Sequence, residues 1–374
     1  MFRISLQSLL HERGKLVASL AGVTFATVLV LSQLGMYAGF LQTSSDIIVR
    51  MGGDVWVMAR GTRVFDFAEP LSSGARSIAA SHPCVRRIRS VVSGFAQLRT
   101  ASGAHIGVEV IGFEPSDGVV FPWTFARGLP SDLRGAARVS VDALDLGRLE
   151  IPPPTLGVEV DIGEHRAWVA AETGGIRGFT LSPYIFANLD VARRLTGLSD
   201  GQAHYLVIDL ADRSCSEDLR ATIERQGDLQ VMDTRAFAHM TEAYWVDGAG
   251  AGAALALGAI LGLVVGVVIV GQTLFSVVND HRRELATLKA VGASGVEIVS
   301  FVVWQALALA VVGGALGLAG AELLASGAQG VGLTVALTPA TIAKSLGAVA
   351  VMCGLASLWS GRAVLRLEAA EVFR

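Results

Sequence analysis

Long apolar stretches, separated by segments of mixed polarity, dominate the chain. Because a helix that spans a bilayer needs roughly 20 mainly apolar residues, four stretches are long enough or nearly long enough to do so. They are Leu16–Leu41, Gly248–Asn279, Ile298–Ala321 and Ser345–Gly361, of which the last is the shortest. The first is longer than the apolar region of a signal peptide, so we expect it to stay in the mature protein.

The basic residues beside these stretches predict their orientation, since lysine and arginine in short flanks stay in the cytoplasm. The short segment 322–344 contains a single lysine, Lys344. Both termini are therefore expected in the cytoplasm, and the long segment 42–247 on the other side of the membrane. The basic flanking residues are Arg3, Arg13, Lys15, Arg282, Arg283, Lys289, Arg362, Arg366 and Arg374.

The segment 42–247 has the sequence pattern of an α+β domain. Short β-branched or alternating runs predict strands at Asp54–Met58, Val91–Leu98, Ile106–Ile111, Arg138–Val141, Val158–Ile162 and His204–Ile208. Helical spacing predicts helices at Pro70–Ser81, Leu189–Leu195, Ser216–Gln226 and Thr234–Trp245. Proline and glycine pairs suggest two lobes joined near residues 113–150. The helix at Thr234–Trp245 leads directly into the second apolar stretch, so it is a candidate stalk.

The predicted fold is an all-α region of four transmembrane helices with an α+β extracytoplasmic domain inserted between the first and second. The predicted parts are an amphipathic inner-leaflet helix (1–14), transmembrane helix 1 (15–41), the outer domain (42–247), transmembrane helix 2 (248–279), a cytoplasmic loop (280–297), transmembrane helix 3 (298–321), an external loop (322–344), transmembrane helix 4 (345–361) and a cytoplasmic tail (362–374).

Composition narrows the possible functions. The chain is 52% apolar and 17% charged with a net charge of −3, which suits a membrane protein in contact with lipid and gives no reason to expect a nucleic-acid partner. The sequence contains no phosphate-binding G-x-x-x-x-G-K-[ST] loop, no catalytic signature and no metal-ligand spacing. We therefore expect no enzyme activity, cofactor or metal in this chain. Cys84 and Cys215 both fall in the outer segment, and whether they pair stays open.

The segment DHRRELATLKAVGASG, residues 280–295, has the pattern of a short amphipathic helix between the second and third apolar stretches. Leu285, Leu288 and Val291 form a narrow apolar stripe with charged residues around it, and Gly292 is suited to ending the helix. One interpretation is a coupling helix that inserts this stripe into a groove of a separate ATPase. The other is an interfacial connector whose charges only set the orientation.

This segment resembles the R-x-E-x-A-T-L-[KR]-A-[LMV]-G-[AY] signature of the MacB/FtsX-type permeases of ABC transporters. Within that family the chain is most similar to the DevC-type branch, through Glu242–Trp245, Gly262–Gln272, Asp280-His281, Trp304–Ala306, Met352-Cys353 and Ala370–Phe373. It departs from that pattern at Asn279, where an acidic residue is more usual, and at Glu368–Ala370, which lacks the usual proline.

The resemblance implies a permease subunit, a homodimer or pair of permeases, and a partner ABC ATPase that binds ATP and Mg²⁺. It further implies a MacB-like periplasmic core domain and, for the DevC-type branch, a HlyD-like periplasmic adaptor and an outer-membrane channel. The expected coupling residues are Asp280, His281, Arg282, Arg283, Glu284, Leu285, Thr287, Leu288, Lys289 and Gly292. The alternatives are a non-transporting mechanotransmitter, a lipoprotein-releasing permease, and a membrane-anchored sensor or scaffold without an ATPase.

Small residues recur at four-residue spacing in two of the apolar stretches. They predict faces on which helix backbones approach closely, within or between protomers, although glycine is also simply tolerated in membrane helices. The residues are Gly258, Gly262 and Gly266 in the second stretch, and Gly313 and Gly317 in the third.

Overall fold

A computed structural model describes residues 13–72, 74–114, 121–178, 182–225, 227–248, 250–280, 287, 294–330 and 335–365. The chain divides into two compact units, a helical unit of residues 1–40 and 251–374 and an outer unit of residues 41–250. This division confirms the predicted fold class, in which an α+β domain is inserted after the first long helix. The predicted amphipathic helix 1–14 and the tail 362–374 lie almost entirely outside the described residues.

Eight α-helices are present in the described ranges. They are α1 (Arg13–Met51), α2 (Ala75–Ala80), α3 (Leu189–Thr196), α4 (Ser216–Glu224), α5 (Thr234–Ala243), α6 (Ala251–Asp280), α7 (Gly295–Gly330) and α8 (Pro339–Leu365).

Four of these helices are long and apolar enough to cross a membrane, over Leu16–Met51, Gly252–Gln272, Val303–Ala328 and Pro339–Ser357. Their ends differ from the predicted bounds. Helix α1 continues past Leu41 to Met51, and α7 extends into the segment assigned to the external loop. Helix α8 begins at Pro339, where proline suits a first turn and the Thr338 hydroxyl accepts a hydrogen bond from the Thr341 backbone N–H at 3.1 Å.

The outer unit is built on one sheet whose strands run in the order β10-β1-β9-β2-β3-β8-β5-β7-β4, with β6 joining β2 and β7. The pairs β3–β8 and β5–β7 are parallel and the others are antiparallel. The strands are β1 (Val55–Ala59), β2 (Val85–Arg99), β3 (His105–Phe113), β4 (Phe125–Arg127), β5 (Arg138–Asp142), β6 (Glu159–Ile162), β7 (His165–Thr173), β8 (Tyr184–Asn188), β9 (Tyr205–Leu210) and β10 (Leu229–Asp233).

The division of the outer segment into two lobes was wrong, because a single sheet runs through the unit. Strand β2 is long enough to pair with β9, β3 and β6, so it connects the two ends of the sheet.

The predicted helix at Pro70–Ser81 is reduced to α2, one and a half turns long. Helix α3 is capped at both ends, by the Asn188 side chain, which accepts from the Val191 N–H, and by Gly197 in a left-handed conformation.

An aromatic core lies where α1 and α5 pack on the sheet. Trp56, Phe65, Tyr205 and Phe237 are almost fully buried and their ring centroids lie 5.2–6.2 Å apart. Ile47 and Ile48 from the end of α1 belong to the same buried cluster. Burial of large aromatic surface dominates packing energy, so this cluster fixes both helices on the outer unit.

Candidate functional site

The predicted coupling segment is only partly described. Asp280 is the last residue of α6, and Thr287 is helical and exposed. The other predicted coupling residues, His281, Arg282, Arg283, Glu284, Leu285, Leu288, Lys289 and Gly292, lie outside the described residues.

A capping box starts α7 directly after this segment. The Ser294 hydroxyl accepts from the Glu297 N–H at 3.3 Å, and Glu297 Oε2 accepts from the Ser294 N–H at 2.8 Å and from its hydroxyl at 3.0 Å. These hydrogen bonds lower the pKa of Glu297. The S-x-x-E pattern at 294–297 is a known sequence signature of a helix start, and the sequence analysis missed it.

The glycines of α6 lie against the first helix. A Cβ added at Gly258 would lie 2.8 Å from Gln33 Oε1, and one added at Gly262 would overlap the Leu29 side chain. One added at Gly266 would lie 3.0 Å from the Cβ of Ala26 and would also meet Met352 of α8. These three positions therefore face α1 along about two turns, and a side chain at any of them would require Gln33, Leu29 or Met352 to move.

The glycines of α7 lie against the neighbouring face of the same helix. A Cβ at Gly313 would lie 2.7 Å from Val23 Cγ1, and one at Gly317 would overlap Thr27 and lie 3.1 Å from the carbonyl oxygen of Thr24. Val23 and Thr27 are almost fully buried. In the helical unit, α1 is thus packed closely against both α6 and α7, within one protomer.

Two helices form what we call the stalk pair: residues 41–51 of α1 and Thr234–Ala243 of α5. The Ser45 hydroxyl donates to Glu242 Oε1 at 2.7 Å, and Glu242 Oε2 lies 3.2 Å from His239 Nδ1. Ser45 is only 4% exposed. Together with the shared aromatic core, this partly buried hydrogen bond joins the two helices side by side.

The backbones of the stalk pair meet the sheet at what we call the stalk root, formed by Met51–Asp54, Arg89 and Thr234. Gly52 and Gly53 have φ values of +70° and +86°, a left-handed backbone that ends α1. Thr234, the first residue of α5, donates from its hydroxyl to the Gly53 carbonyl at 2.6 Å and from its N–H to the Asp54 carbonyl at 3.2 Å. One helix therefore ends, and the other begins, at the same hydrogen-bonded turn.

Arg89 of β2 connects this turn to the centre of the sheet. Its Nη1 donates to the Met51 carbonyl at 2.8 Å, and its Nη2 lies 3.0 Å from Oδ1 of Asp209. The side chains of Arg89 and Asp209 are 7% and 14% exposed. A cation at a helix C-terminus is favoured by the helix dipole, so a mostly buried ion pair holds the end of α1.

A buried group of carboxyl side chains lies beside the stalk pair. Glu109 of β3 is fully buried, its Oε1 accepts from the Ser93 hydroxyl at 3.2 Å, and its Oε2 has no hydrogen-bond partner among the described residues. Burial, with the negative charge of Asp66, raises the pKa of Glu109 well above its ordinary value. Burial raises the pKa of Asp66 to about 6, although a hydrogen bond from Trp245 opposes this shift. Burial thus disfavours the charged form of Glu109.

Next to Glu109, a histidine is also held neutral. His204 accepts from the Ser93 N–H through Nδ1 at 3.2 Å, and burial lowers its pKa to about 4. In the described ranges, no group of three histidine, cysteine, aspartate or glutamate side chains is arranged to hold a metal ion. Ser93 thus links His204 and Glu109 in one buried polar network.

Cys84 and Cys215 form a disulfide with a Cα–Cα distance of 6.2 Å. It joins the start of β2 to the start of α4, which are 131 positions apart in the sequence. The pairing that the sequence left open is therefore present in the structure. Close by, His82 Nε2 lies 3.1 Å from Asp218 of α4, so the same two segments are linked twice.

Comparison with known proteins identifies the helical unit. Residues 256–369 match the family model of the FtsX-like permease C-terminal domain. This range contains most of α6, the predicted coupling segment, α7 and α8. No curated protein sequence matches the chain significantly.

Three solved structures are similar to about half of the chain. The periplasmic region of MacB from Actinobacillus actinomycetemcomitans is 10% identical, with a TM-score of 0.39, over 54% of this chain and 98% of that one. The extracellular domain of the noncanonic ABC-type transporter YknZ from Gram-positive bacteria is 11% identical, with a TM-score of 0.36, over 48% and 98%. A domain of a putative permease protein from Porphyromonas gingivalis is 13% identical, with a TM-score of 0.33, over 49% and 89%.

The helical unit thus combines four helices that can span a membrane, close packing at the glycines of α6 and α7, and the family match over residues 256–369. Residues 256–369 therefore belong to the FtsX-like permease C-terminal family.

Proposed function

We propose that this permease subunit works in an ATP-driven export complex, in which residues 280–292 receive the motion of a separate ATPase and the outer unit passes that motion to an adaptor or cargo. The observation that carries the proposal is the FtsX-like match over residues 256–369, which includes that segment. The sequence of the segment supplies an apolar stripe with charges of both signs around it, the pattern of a helix that binds in a groove.

Contacts in the two units support a mechanical role for α1. In the helical unit, α1 lies against the glycines of α6 and α7, and in the outer unit its end is held by Arg89 and Thr234. Close packing and buried polar contacts resist independent sliding of the packed elements. A displacement of α6 or α7 is therefore expected to move α1, and through it the stalk root.

The disulfide supports a location of the outer unit outside the cytoplasm, because disulfides persist in oxidising compartments and are rare in the cytosol. With the positive-inside flanks, it favours a periplasmic outer unit and cytoplasmic termini at the inner membrane. On the DevC-type resemblance we further propose a pair of these chains, two ABC ATPase subunits that hold ATP and Mg²⁺, a HlyD-like adaptor and an outer-membrane channel.

The test begins with the complex purified from its native membrane. An ABC ATPase should co-purify, and reconstitution with this chain should stimulate its ATP turnover. Charge reversal at Glu284 (Glu284→Lys) or introduction of a charge into the apolar stripe (Leu288→Glu) should abolish the stimulation while the amount of protein in the membrane stays the same. Both changes are directed at the predicted interface with the ATPase.

A matched control is Glu322→Lys, which reverses the charge of an exposed glutamate in α7 outside the coupling segment. It should leave stimulated turnover unchanged. Unchanged turnover in both coupling variants would refute the assigned coupling role. Recovery of the chain without any nucleotide-binding subunit would favour the scaffold interpretation, and stimulated turnover with no transported cargo would favour the mechanotransmitter.

A further inference from the structure

A hydrogen bond joins the last turn of the stalk pair to the loop that follows β1. Helix α5 continues into a single π-helical turn, Tyr244–Gly248, and Trp245 of this turn donates from Nε1 to Asp66 Oδ2 at 3.3 Å. Such turns are rare and occur frequently at functional sites. The start of α5 is held at the stalk root, so this hydrogen bond, which we call the latch, holds its other end.

Asp66 is fixed over the sheet by its two neighbours in the chain. The Phe65 ring stacks on Tyr205 of β9 with centroids 5.2 Å apart, and the Phe67 ring lies 5.8 Å from that of Phe95 in β2. Asp66 is 8% exposed. Its carboxyl group is therefore mostly removed from water by contacts on both sides, and its charge is costly unless a donor compensates it.

The surroundings of Asp66 offer little such compensation. Burial raises the pKa of Asp66 to about 6, and the hydrogen bond from Trp245 is the side-chain contact that opposes this shift. In the part of the chain that the structure describes, no cationic side chain lowers the pKa of Asp66 or of its buried neighbour Glu109. The latch therefore carries most of the compensation that ionised Asp66 receives from side chains.

The other titratable groups of the packed elements do not supply a positive charge either. Burial keeps His204 neutral by lowering its pKa to about 4. On α5, Glu242 is hydrogen-bonded to Ser45. The groups that face the two carboxyl groups from the neighbouring elements are Asp46 of α1, which is paired with Arg50, Tyr184 of β8, and His204 and Tyr205 of β9.

The sign of the pH dependence follows from linkage. The hydrogen bond from Trp245 lowers the pKa of Asp66, so it favours the ionised carboxylate. Because linkage is reciprocal, the ionised carboxylate must hold Trp245 more tightly than the protonated acid does, as expected for a charge-assisted hydrogen bond. Burial of Asp66 by itself stabilises the fold most below the ordinary pKa of 3.8, and this contribution is lost as pH rises through about 6. The latch has the opposite dependence and weakens in acid.

We propose that proton binding to Asp66 controls the latch: ionised Asp66 holds Trp245 and the π-helical turn, and protonated Asp66 releases them. The outer unit would thus respond to the pH of its surroundings at the end of a stalk helix. All of the groups involved lie within the outer unit, so the proposal does not depend on the assigned ATPase coupling.

The test uses the full chain, labelled with fluorotryptophan, in lipid nanodiscs. Fluorine NMR is recorded across the pH range in which Asp66 titrates, and the Trp245 resonance is identified as the one that is lost in Trp245→Phe. It should shift with a midpoint near pH 6, and Asp66→Asn, which keeps the shape of the side chain but cannot ionise, should abolish the transition. The matched control is Asp190→Asn, because the Asp190 side chain is 84% exposed, and it should leave the midpoint unchanged.

Hydrogen exchange followed by mass spectrometry gives a second readout. After correction for the intrinsic pH dependence of exchange, peptides that cover residues 240–248 should open several-fold more below pH 6 than above it. Trp245→Phe, which removes the donor and keeps Asp66, should give the open behaviour at every pH.

Three results would overturn the proposal. One is a transition that persists in Asp66→Asn, and another is exchange of the turn that does not depend on pH in the wild type. The third is a transition that is lost in Glu109→Gln but retained in Asp66→Asn, which would assign the proton to Glu109.

Discussion

The stalk root allows a quantitative test of how the end of α1 is held. The change is Arg89→Met, which keeps most of the apolar stem of the side chain and removes its charge. It leaves the Met51 carbonyl and the Asp209 carboxylate without the donors that now lie 2.8 and 3.0 Å away. The matched control is Arg87→Met, because Arg87 also faces Asp209, at 3.8 Å, but is 43% exposed.

The expected magnitudes follow from burial. Removing one partner of a buried ion pair costs about 3–5 kcal/mol. Because Asp209 is 14% exposed and keeps Arg87 nearby, we expect the lower end, about 3 kcal/mol, or roughly a hundredfold in an opening equilibrium. An exposed pair contributes about 0–1 kcal/mol, so Arg87→Met should change the same equilibrium by a small factor.

The assay is hydrogen exchange followed by mass spectrometry on the full chain in nanodiscs, which reports local opening. Peptides that cover residues 44–53 should exchange much faster in Arg89→Met and nearly as in the wild type in Arg87→Met, while peptides from β5 and β7 should not change. Equal exchange in the two variants would refute the idea that the buried pair holds the end of α1. Faster exchange throughout the outer unit would show global destabilisation instead.

Two further predictions concern the membrane helices and the buried carboxyl group. Gly317→Ala should destabilise the chain by about 1–3 kcal/mol in a denaturant titration in detergent, because its Cβ meets the Cβ of Thr27. Gly327→Ala in the same helix, with nothing within 4 Å, should be neutral or stabilising, and equal effects would contradict close packing. Since the pKa of Glu109 is raised in the fold, the stability it contributes is present in acid and is lost as pH rises above the ordinary value of 4.5. The unfolding temperature of Glu109→Gln should therefore increase relative to the wild type as pH rises, and a constant difference across pH would refute the raised pKa.

The sequence was sufficient for the membrane helices because the bilayer imposes a strong constraint. Each spanning helix must satisfy its own backbone and present apolar side chains, so length and composition identify it. The ends were less accurate, since hydropathy does not report where a helix continues into a folded domain. Helix α1 passes Leu41 and carries Ser45 and Asp46, whose polarity suggested the end of the span but is accommodated within the outer unit.

The sequence predicted the α+β class of the outer unit but only some of the strands of its sheet. Strand β7 alternates in burial over Arg166–Ala171, but Ala171–Thr173 are buried in succession, so no single period marks its full length. The contacts that hold the stalk root join positions far apart in the sequence, such as Arg89 with Asp209. A single sequence provides no means of bringing such positions together, and for the same reason the sequence left the pairing of Cys84 with Cys215 open.

Specific contacts, more than apolar composition, hold α1 in each unit. Apolar side chains alone give a helix in lipid little driving force to pack against other helices, because the lipid tails are equally apolar. The close approaches at Gly262 and Gly317 and the hydrogen bonds at Met51 and Gly53 are therefore what makes this helix part of each unit. Because α1 is one continuous helix from Arg13 to Met51, in the proposed complex a variant that loosens either set of contacts should uncouple the outer unit from the ATPase without changing ATP binding. That outcome would distinguish a mechanical link from a membrane anchor, for which both sets of contacts would be dispensable.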